Sequence, residues 1–397
     1  MSDRRAQRVP ALVAVVCLYA LSASGTLLAQ SSVKEIPIAV PAATDDLRGA
    51  SPAVRFGTAA LELSGVVAVL PLRAGGVVLA DGGSQRLLFF DPSGRLVRAV
   101  GGPGAGPGEY QDIGGVVALR RDSILVWDRL LRRATVLTPT GDYARAFLLA
   151  APFDGGGRVM RVVSLADGSL LIGFADAGTW QPSPVAIQLG ERLLRYGTDG
   201  KRLGTTDVHL LGSERFVQAV PPEFGGVAYW NLAFGRELSV RPFRDGVATG
   251  DGTSWSVDVR SLADGAVRLR LALARESSRL SPTDIATFRA AALRSEKGAG
   301  RVLAERMLAE MPFPKTQPAY IRFEVDDQSA LWIEDYVGRR GDAKLWYRLD
   351  AETATAEATR FPVRFSPFAF AHGLVYGVWR DEDDVESVIA YRVRAAR

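Results

Sequence analysis

The sequence predicts an all-β fold, a six-bladed β-propeller with one small helical insertion. Three observations carry this prediction. A short strand pattern ending in an acidic residue recurs six times, a strand–turn–strand pattern follows several of its copies, and the composition is globular, with 47% hydrophobic residues, 23% charged residues and 41 glycines. The recurrence spans about 47 residues, which is the length of one propeller blade.

The first element is a targeting segment. Three arginines precede an almost wholly apolar run, and small residues up to Ala29 offer a cleavage site, which is the pattern of a secretory signal peptide. An uncleaved anchor is the alternative, but the apolar run is shorter than the ~20 residues of a membrane span. Cys17 follows Val16 inside this run, which does not fit a lipoprotein signal. We predict a signal peptide at residues 1–29, export to the periplasm or the extracellular space, and no stable membrane span after cleavage.

Cleavage would leave a chain without cysteine and with a net charge of +2, because residues 1–29 hold three arginines, one aspartate and the only cysteine. A chain without disulfides in an oxidising compartment needs a large buried core. The small net charge gives no reason to expect a nucleic-acid partner. We expect residues 30–53 to form a flexible N-terminal segment and residues 54–397 to form the propeller.

The recurrent strand consists of a turn, four to six apolar residues and an acidic end. Because a catalytic group is needed once and this acid recurs in almost every copy, we interpret it as a turn residue that accepts backbone N–H groups. A ring of metal ligands is the alternative. The six acids are Asp81, Asp128, Asp176, Asp251, Asp335 and Asp381.

Strand–turn–strand units follow the early copies, with a glycine in each turn, at Gly94, Gly141, Gly200 and Gly265. Such units predict hairpins. The last repeat, Ser366 to Val393, lacks one strand. We predict that the segment from Val54 to Leu63 supplies it and closes the ring, because an open sheet edge favours aggregation.

The insertion at residues 281–314 has a helical pattern. Ser281, Pro282 and Asp284 form a helix start, and apolar residues follow at helical spacing. Gly298 to Gly300 are predicted to break the run into two helices. We expect the helices to pack against the propeller rim, and a lid over the central channel is the alternative.

The string from Ala80 through Asp81, Arg86, Phe90, Asp91 and Gly94 to Gly101 resembles an NHL-type blade. Residues 101–110 and 379–393 are similar to segments of the six-bladed β-propeller proteins of environmental bacteria. The resemblance covers about residues 55 to 397. It implies a secreted or envelope-associated propeller, and it supplies no catalytic residues.

Three further features have structural interpretations. Gly101 to Gly108 predicts a connection between blades, because it lacks the Lys-Ser/Thr ending of a phosphate loop and its prolines remove N–H donors. Glu109 then bonds backbone N–H groups. The tryptophans of the recurrent strands are predicted to pack between blades. These are Trp127, Trp332 and Trp379.

Two charged clusters are interpreted as solvated surface. The basic one has no interleaved aromatic residues, and an anionic surface is its alternative partner. It comprises Arg120, Arg121, Arg129, Arg132 and Arg133. The acidic one predicts a hairpin turn, with calcium binding as the alternative, although its spacing is not that of an EF-hand. It comprises Asp381, Glu382, Asp383, Asp384 and Glu386.

The sequence identifies no catalytic or ligand-binding residue and predicts no metal site. Its two histidines, His209 and His372, nearly exclude a multi-histidine zinc centre, and its single asparagine, Asn231, weakens a likeness to lactonases. We expect a binding or interaction scaffold whose partner is a protein, a glycan or a small molecule of the cell envelope. The alternative is a lactonase-like hydrolase or lyase with an axial metal. No cofactor is predicted, and a single divalent ion such as calcium in the channel belongs to that alternative.

Overall fold

The computed structural model describes residues 33–41, 44–58, 61–151, 153, 157–175, 182–219, 227–294, 297–336 and 343–393. The predicted signal peptide and Asp176 lie outside these ranges. The described chain forms a β-propeller of six sheets with two helices. The prediction of an all-β propeller is confirmed.

Each sheet contains four or five strands. The strands, in chain order, are β1 (Lys34–Ile38), β2 (Thr44–Asp46), β3 (Val54–Phe56), β4 (Val66–Pro71), β5 (Val77–Asp81), β6 (Arg86–Phe90), β7 (Leu96–Gly101), β8 (Ile113–Ala118), β9 (Ile124–Asp128), β10 (Arg133–Leu137), β11 (Tyr143–Leu148), β12 (Arg158–Ser164), β13 (Leu170–Ala175), β14 (Ile187–Tyr196), β15 (Arg202–Ala219), β16 (Val227–Asn231), β17 (Ser239–Phe243), β18 (Gly246–Gly250), β19 (Ser256–Arg260), β20 (Val267–Leu273), β21 (Tyr320–Val325), β22 (Leu331–Asp335), β23 (Ala343–Asp350), β24 (Thr355–Pro362), β25 (Phe365–Ala371), β26 (Leu374–Arg380) and β27 (Glu386–Arg392).

The sheets follow one another along the chain. The first three are β4-β5-β6-β7, β8-β9-β10-β11 and β12-β13-β14-β15-β16, and the last three are β17-β18-β19-β20-β1, β21-β22-β23-β24-β2 and β25-β26-β27-β3. The innermost strands β4, β8, β12, β17, β21 and β25 contact one another in that order, and β25 contacts β4, which closes the cycle. The recurrent strand of the sequence is the second strand of every sheet.

A buried apolar cluster fills each of the six interfaces between neighbouring sheets. The predicted position of the tryptophans is confirmed. Trp127 lies between the second and third sheets. Trp332 stacks on Phe370 of the sixth sheet, with ring centroids 4.4 Å apart, and Trp379 packs against the same cluster. Stacking across every interface allows neighbouring sheets to bury a continuous core.

The predicted pairing of the N-terminal segment with the last sheet is observed. β3 pairs antiparallel with β27, with Phe56 opposite Val388, and Leu63 forms an isolated bridge to Glu386. Phe56 also contacts Phe90 of the first sheet, with centroids 5.8 Å apart. The strand therefore joins the final sheet and faces the first one.

The segment before β3 differs from the expectation of a flexible region. Within residues 30–53, β1 pairs in parallel with β20 and β2 pairs in parallel with β24. Ile38 is buried among side chains of the fourth and fifth sheets. The outer strands β20 and β24 offer their unpaired edge groups, so β1 and β2 are held by hydrogen bonds that the local sequence does not reveal.

The insertion forms two helices, α1 (Pro282–Ala292) and α2 (Gly298–Glu310). The predicted helix start is present, because the Ser281 hydroxyl accepts the Asp284 N–H and the Asp284 carboxylate accepts the Ser281 N–H. The predicted break at Gly298 to Gly300 is wrong, since α1 ends near Leu293 and these glycines open α2. Gly298 has a φ of 55°, which redirects the chain at that point.

The helix pair packs on the β15–β16 hairpin. Met307, Leu308 and Met311 form a seventh apolar cluster with Phe216 and Leu232. Within the described ranges, neither helix is long and apolar enough to cross a membrane.

Candidate functional site

A cavity of about 880 Å³ lies among the innermost strands of the six sheets. Its walls are residues of β4, β8, β12, β17, β21 and β25. The turns that follow several of these strands surround one end of the cavity, which is called the lower rim. This volume is within the range of small-molecule sites, about 300–1,000 Å³. Because every sheet contributes to it, the cavity follows the axis of the propeller.

β-Bulges direct side chains toward this axis. The register between the first and second strands shifts at Val67, Gly114, Met160 and Phe368, and a two-residue shift in β21 includes Arg322. All five residues line the cavity. A bulge adds an unpaired residue to one strand and re-aims its side chain, which is why bulges occur beside binding sites.

Arginines from three consecutive inner strands form one half of the wall. Arg161 of β12 donates through Nη2 to Glu191 Oε2 at 2.9 Å and through Nη1 to the Leu238 carbonyl oxygen at 3.1 Å. Arg241 of β17 donates through Nη2 to Glu324 Oε1 at 2.6 Å. Each arginine therefore reaches the next sheet of the ring.

Arg322 of β21 repeats the arrangement. Its Nε donates to Glu334 Oε2 at 3.0 Å, and its Nη2 donates to the Pro367 carbonyl oxygen of the sixth sheet at 2.6 Å. The guanidinium also lies over the rings of Trp346 and Phe368, with centroid distances of 5.4 and 5.8 Å. Hydrogen bonds and ring contacts fix its position before any ligand binds.

The guanidinium groups are more exposed to the cavity than the carboxylates that they bond. The side chains of Arg161, Arg241 and Arg322 are 18%, 32% and 28% exposed, whereas those of their partners Glu191, Glu324 and Glu334 are 3%, 12% and 2% exposed. Glu191 and Glu334 lie behind the arginines, whereas Glu324 is also part of the lining. The three carboxylates compensate the charge of the arginines. The wall thus presents N–H donors with little net charge.

The charge of Glu324 affects the pKa of Arg241. Burial alone would lower the pKa of Arg241, but the charge of Glu324 and its hydrogen bonds outweigh this effect and raise the pKa above its usual value. Arg241 is therefore a permanent cation.

The opposite half of the wall is apolar. It comes from the sixth, first and second sheets, with Phe368, Val67 and the ring of Trp127 on the lining. Trp127 reaches the channel because Gly114 and Gly115 carry no side chain, since a Cβ at Gly114 would lie 2.2 Å from Trp127 Cζ3. An amphipathic channel results, with donors on one side and rings on the other.

Charged turns form the lower rim. Arg73, Arg120 and Arg244 lie there with Asp326 and Asp327. Neighbouring turns are connected to each other, because Arg73 lies 3.8 Å from Asp122 and Arg120 donates to the Ala166 carbonyl oxygen at 3.3 Å. Like the arginines of the wall, Arg73 and Arg120 on the rim each have a partner in a neighbouring turn.

The two histidines occupy separate places. His372 donates its backbone N–H to Asp327 at 2.8 Å, and its Nε2 lies 3.2 Å from the Leu72 carbonyl oxygen, on the lower rim. His209 lies beside Asp207 on β15 with a 63% exposed side chain. The structure places them on different sheets.

The repeated acids of the sequence have structural partners. Asp81 accepts the N–H groups of Ser64 and Ser84, and Asp128 accepts those of Gln111, Asp112 and Leu131. The other described acids bond turn residues or an arginine, as Asp251 does with Thr253, Asp335 with Arg275, and Asp381 with Asp383 and Val385. Among the described residues that line the cavity, none belongs to this set.

The connection from Gly101 to Gly108 joins β7 to β8, as its sequence indicates. Glu109 accepts the Gly106 N–H at 2.8 Å. Arg133 donates to the carbonyl oxygens of Ala105 and Gly106, which fastens the connection to the second sheet. The interpretation of Glu109 as a partner of backbone N–H groups matches this geometry.

The basic cluster is not one surface. Arg120 and Arg121 precede β9, whereas Arg129, Arg132 and Arg133 follow it, so the strand separates them at its two ends. Arg129 bonds Asp112 at 2.6 Å. Proximity in sequence was misleading because β9 crosses the whole sheet.

The acidic run forms the turn between β26 and β27, as expected. Glu382 pairs with Arg364, while Glu386 is buried and accepts the N–H of Val66. Across the described ranges, no group of three His, Cys, Asp or Glu side chains is arranged to hold a metal ion.

Sequence reasoning missed Arg161, Arg241 and Arg322. Arg161 follows a bulge and Arg322 lies within one, and the carboxylate partners of the three arginines lie 12 to 83 residues away. The available signal was an arginine within the first strand of three consecutive repeats, in the segments Arg158–Ser164, Ser239–Phe243 and Tyr320–Val325.

One comparison with a solved structure supports the fold. No protein-family model matches the chain, and no curated protein matches it. A solved structure described as a "putative exported protein" from Bacteroides fragilis is 11% identical, with a TM-score of 0.53, and the match covers 91% of this chain and 100% of that one. A virginiamycin B lyase from Staphylococcus aureus is 10% identical over 83% and 98% of the two chains, with a TM-score of 0.42. The aldose sugar dehydrogenase of Streptomyces coelicolor is 13% identical over 87% and 98%, with a TM-score of 0.44. At these identities the likeness concerns the fold alone. Of the three structures, only the one from Bacteroides fragilis is similar enough to support a common fold.

Proposed function

We propose that the protein is an exported six-bladed β-propeller that binds a small ligand of the cell envelope in its axial cavity. The closed cycle of six inner strands and the six apolar interfaces support counting each sheet as one blade. The N-terminal signal pattern and the NHL-like string from Ala80 to Gly101 support an exported protein of this type.

One observation carries the binding proposal. Three guanidinium groups, held in place by buried carboxylates and backbone carbonyl groups, face a single cavity of ligand size. Groups that are already fixed lose little conformational entropy when a ligand binds, which increases affinity. A purely structural channel needs apolar packing and does not need partly exposed arginines on three consecutive strands.

The test uses native mass spectrometry of the purified protein after incubation with a small-molecule extract of bacterial envelopes. Wild type is expected to retain a bound species. Met160→Trp, which fills the cavity from a bulge, is expected to lose it. Val97→Trp, on the exposed outer strand β7, is the matched control and is expected to keep it.

The proposal fails if wild type retains no species, or if Met160→Trp retains the same one. The enzymatic alternative is separable, since an axial metal would be found as one divalent ion per chain in elemental analysis of the purified protein.

A further inference from the structure

We propose that the axial ligand is an organic carboxylate with an apolar ring, bound with its carboxylate on the arginine half and its ring on the apolar half of the cavity. This inference rests on the proposed binding function and adds the ligand class and its orientation.

The two halves face each other because of the order of the sheets. Arg161, Arg241 and Arg322 belong to the third, fourth and fifth sheets, which are consecutive in the ring. Phe368 and Val67 belong to the sixth and first sheets, and the second sheet follows with Trp127. In a ring of six, three consecutive members lie opposite the other three. A ligand that spans the axis therefore meets donors at one end and rings at the other.

The arginine half is suited to a carboxylate. A guanidinium offers five N–H donors in a planar fork, which matches the two oxygens of a carboxylate. Arg322 donates through Nε and Nη2 to Glu334 and the Pro367 carbonyl group, so donors remain on the same group. Arg161 donates three N–H groups, to Glu191 and to the Leu238 carbonyl oxygen. Arg241 donates three, to Glu324 and to the Val240 carbonyl oxygen, so each guanidinium keeps two of its five N–H groups.

The buried carboxylates decide what kind of anion is selected. Because each guanidinium is already paired, the half carries little net charge and attracts a bare inorganic anion weakly. Affinity then requires a second contribution from burial of apolar surface, at about 25 cal/mol per Å². Phe368 and Val67, which are both half-buried on the lining, supply that surface. The site thus selects molecules that carry both groups.

The experiment is calorimetric titration of the full mature protein with three probes, 2-naphthoate, its neutral isostere 2-naphthamide, and inorganic phosphate. Naphthoate is expected to bind about tenfold or more tightly than naphthamide, which is the effect of one good charge-assisted contact. Phosphate is expected to give no measurable heat of binding.

Variants separate the two halves. Arg241→Lys keeps the charge that Glu324 requires but loses the fork, so naphthoate affinity should fall about tenfold while naphthamide affinity is unchanged. Arg161→Lys is a second variant of the same design, should the first not fold. Val67→Ala, on the first sheet, should weaken both ring probes, and Phe368 is kept because the Arg322 guanidinium lies over its ring. Arg95→Lys, on an exposed turn beside Asp91, is the matched control and should change none of them.

The ligand class is overturned if naphthamide binds as tightly as naphthoate, or if phosphate binds as tightly. It is also overturned if no probe binds while wild type still retains an envelope species that Met160→Trp loses, and the proposed binding function then stands. If that species is absent as well, the binding function itself is wrong.

Discussion

The backbone N–H of Val66 donates to Oε2 of Glu386 at 2.8 Å, across a separation of 320 residues. Val66 begins β4, the innermost strand of the first sheet, and Glu386 begins β27, which is the last strand along the chain and belongs to the sixth sheet. Arg380 bonds the other carboxylate oxygen. One buried side chain therefore connects the first and last sheets at the point where the ring closes.

Glu386→Ala should lower the free energy of unfolding by about 1–3 kcal/mol, because it leaves a buried N–H group without its acceptor. Urea denaturation measures the change. Glu382→Ala is the control, since that side chain is 86% exposed and its ion pair with Arg364 should contribute less than about 1 kcal/mol. Equal stabilities of the two variants would contradict the closing role of Glu386.

Truncation from the N-terminus should reduce stability in steps. A chain beginning at Lys34 keeps β1 to β3 and should melt like a chain beginning at Gln30. A chain beginning at Ser51 loses β1 and β2 and should melt lower. A chain beginning at Ser64 also loses β3, exposes the edge of β27, and should be insoluble or melt lowest. Differential scanning fluorimetry gives the order, and a Ser64 chain that melts within a few degrees of the Gln30 chain would show that β3 is accessory.

Alkaline pH should destabilise the protein through Tyr110. Burial raises the pKa of this phenol from 10.0 to about 12. Between these values the unfolded chain loses the proton and the folded chain keeps it, so stability is complete below pH 10 and falls by about 1.4 kcal/mol per pH unit as the pH rises toward 12. Tyr110→Phe should remove this part of the slope in urea denaturation at pH 9 to 12. Tyr143→Phe, on the exposed strand β11, should leave the slope as in wild type.

Gly114→Ala should disturb the apolar half of the cavity. The added Cβ would lie 2.2 Å from Trp127 Cζ3, so the ring or the strand must move, at a cost of about 1–3 kcal/mol. A shift in tryptophan fluorescence and a lower urea midpoint are the expected signs. Gly49→Ala is the control, since a Cβ there meets no atom within 4 Å. An unchanged spectrum and midpoint in Gly114→Ala would contradict the close approach of ring and glycine.

The repeat made much of the fold predictable. Val77–Asp81 and Ile124–Asp128 are strands ending at the acids that the pattern identified, because an apolar run followed by a turn-capping carboxylate is a local signal. The helix start at Ser281 is local as well. The pairing of residues 54–56 with the last sheet was predictable because the last repeat, Ser366 to Val393, lacks one strand that a blade requires.

The remaining features depend on partners that are distant in sequence. β1 and β2 have no hairpin partner nearby, so a short isolated segment such as Lys34–Ile38 resembles a flexible tail until the edge of β20 is present. Arg161 and Arg322 resemble surface arginines in the sequence, because neither their bulges nor their neighbours across the sheet interface can be read locally. The candidate site is a product of ring closure, and it could not be located before the ring was known.

The order of the first three strands has a consequence for synthesis. β1, β2 and β3 are made first, but their partners β20, β24 and β27 are made in the last third of the chain. A chain that emerges from its N-terminus must carry these strands unpaired until the final sheets exist. The ring, and with it the axial cavity, therefore forms only when the chain is finished, and a chain stopped before β27 would have neither.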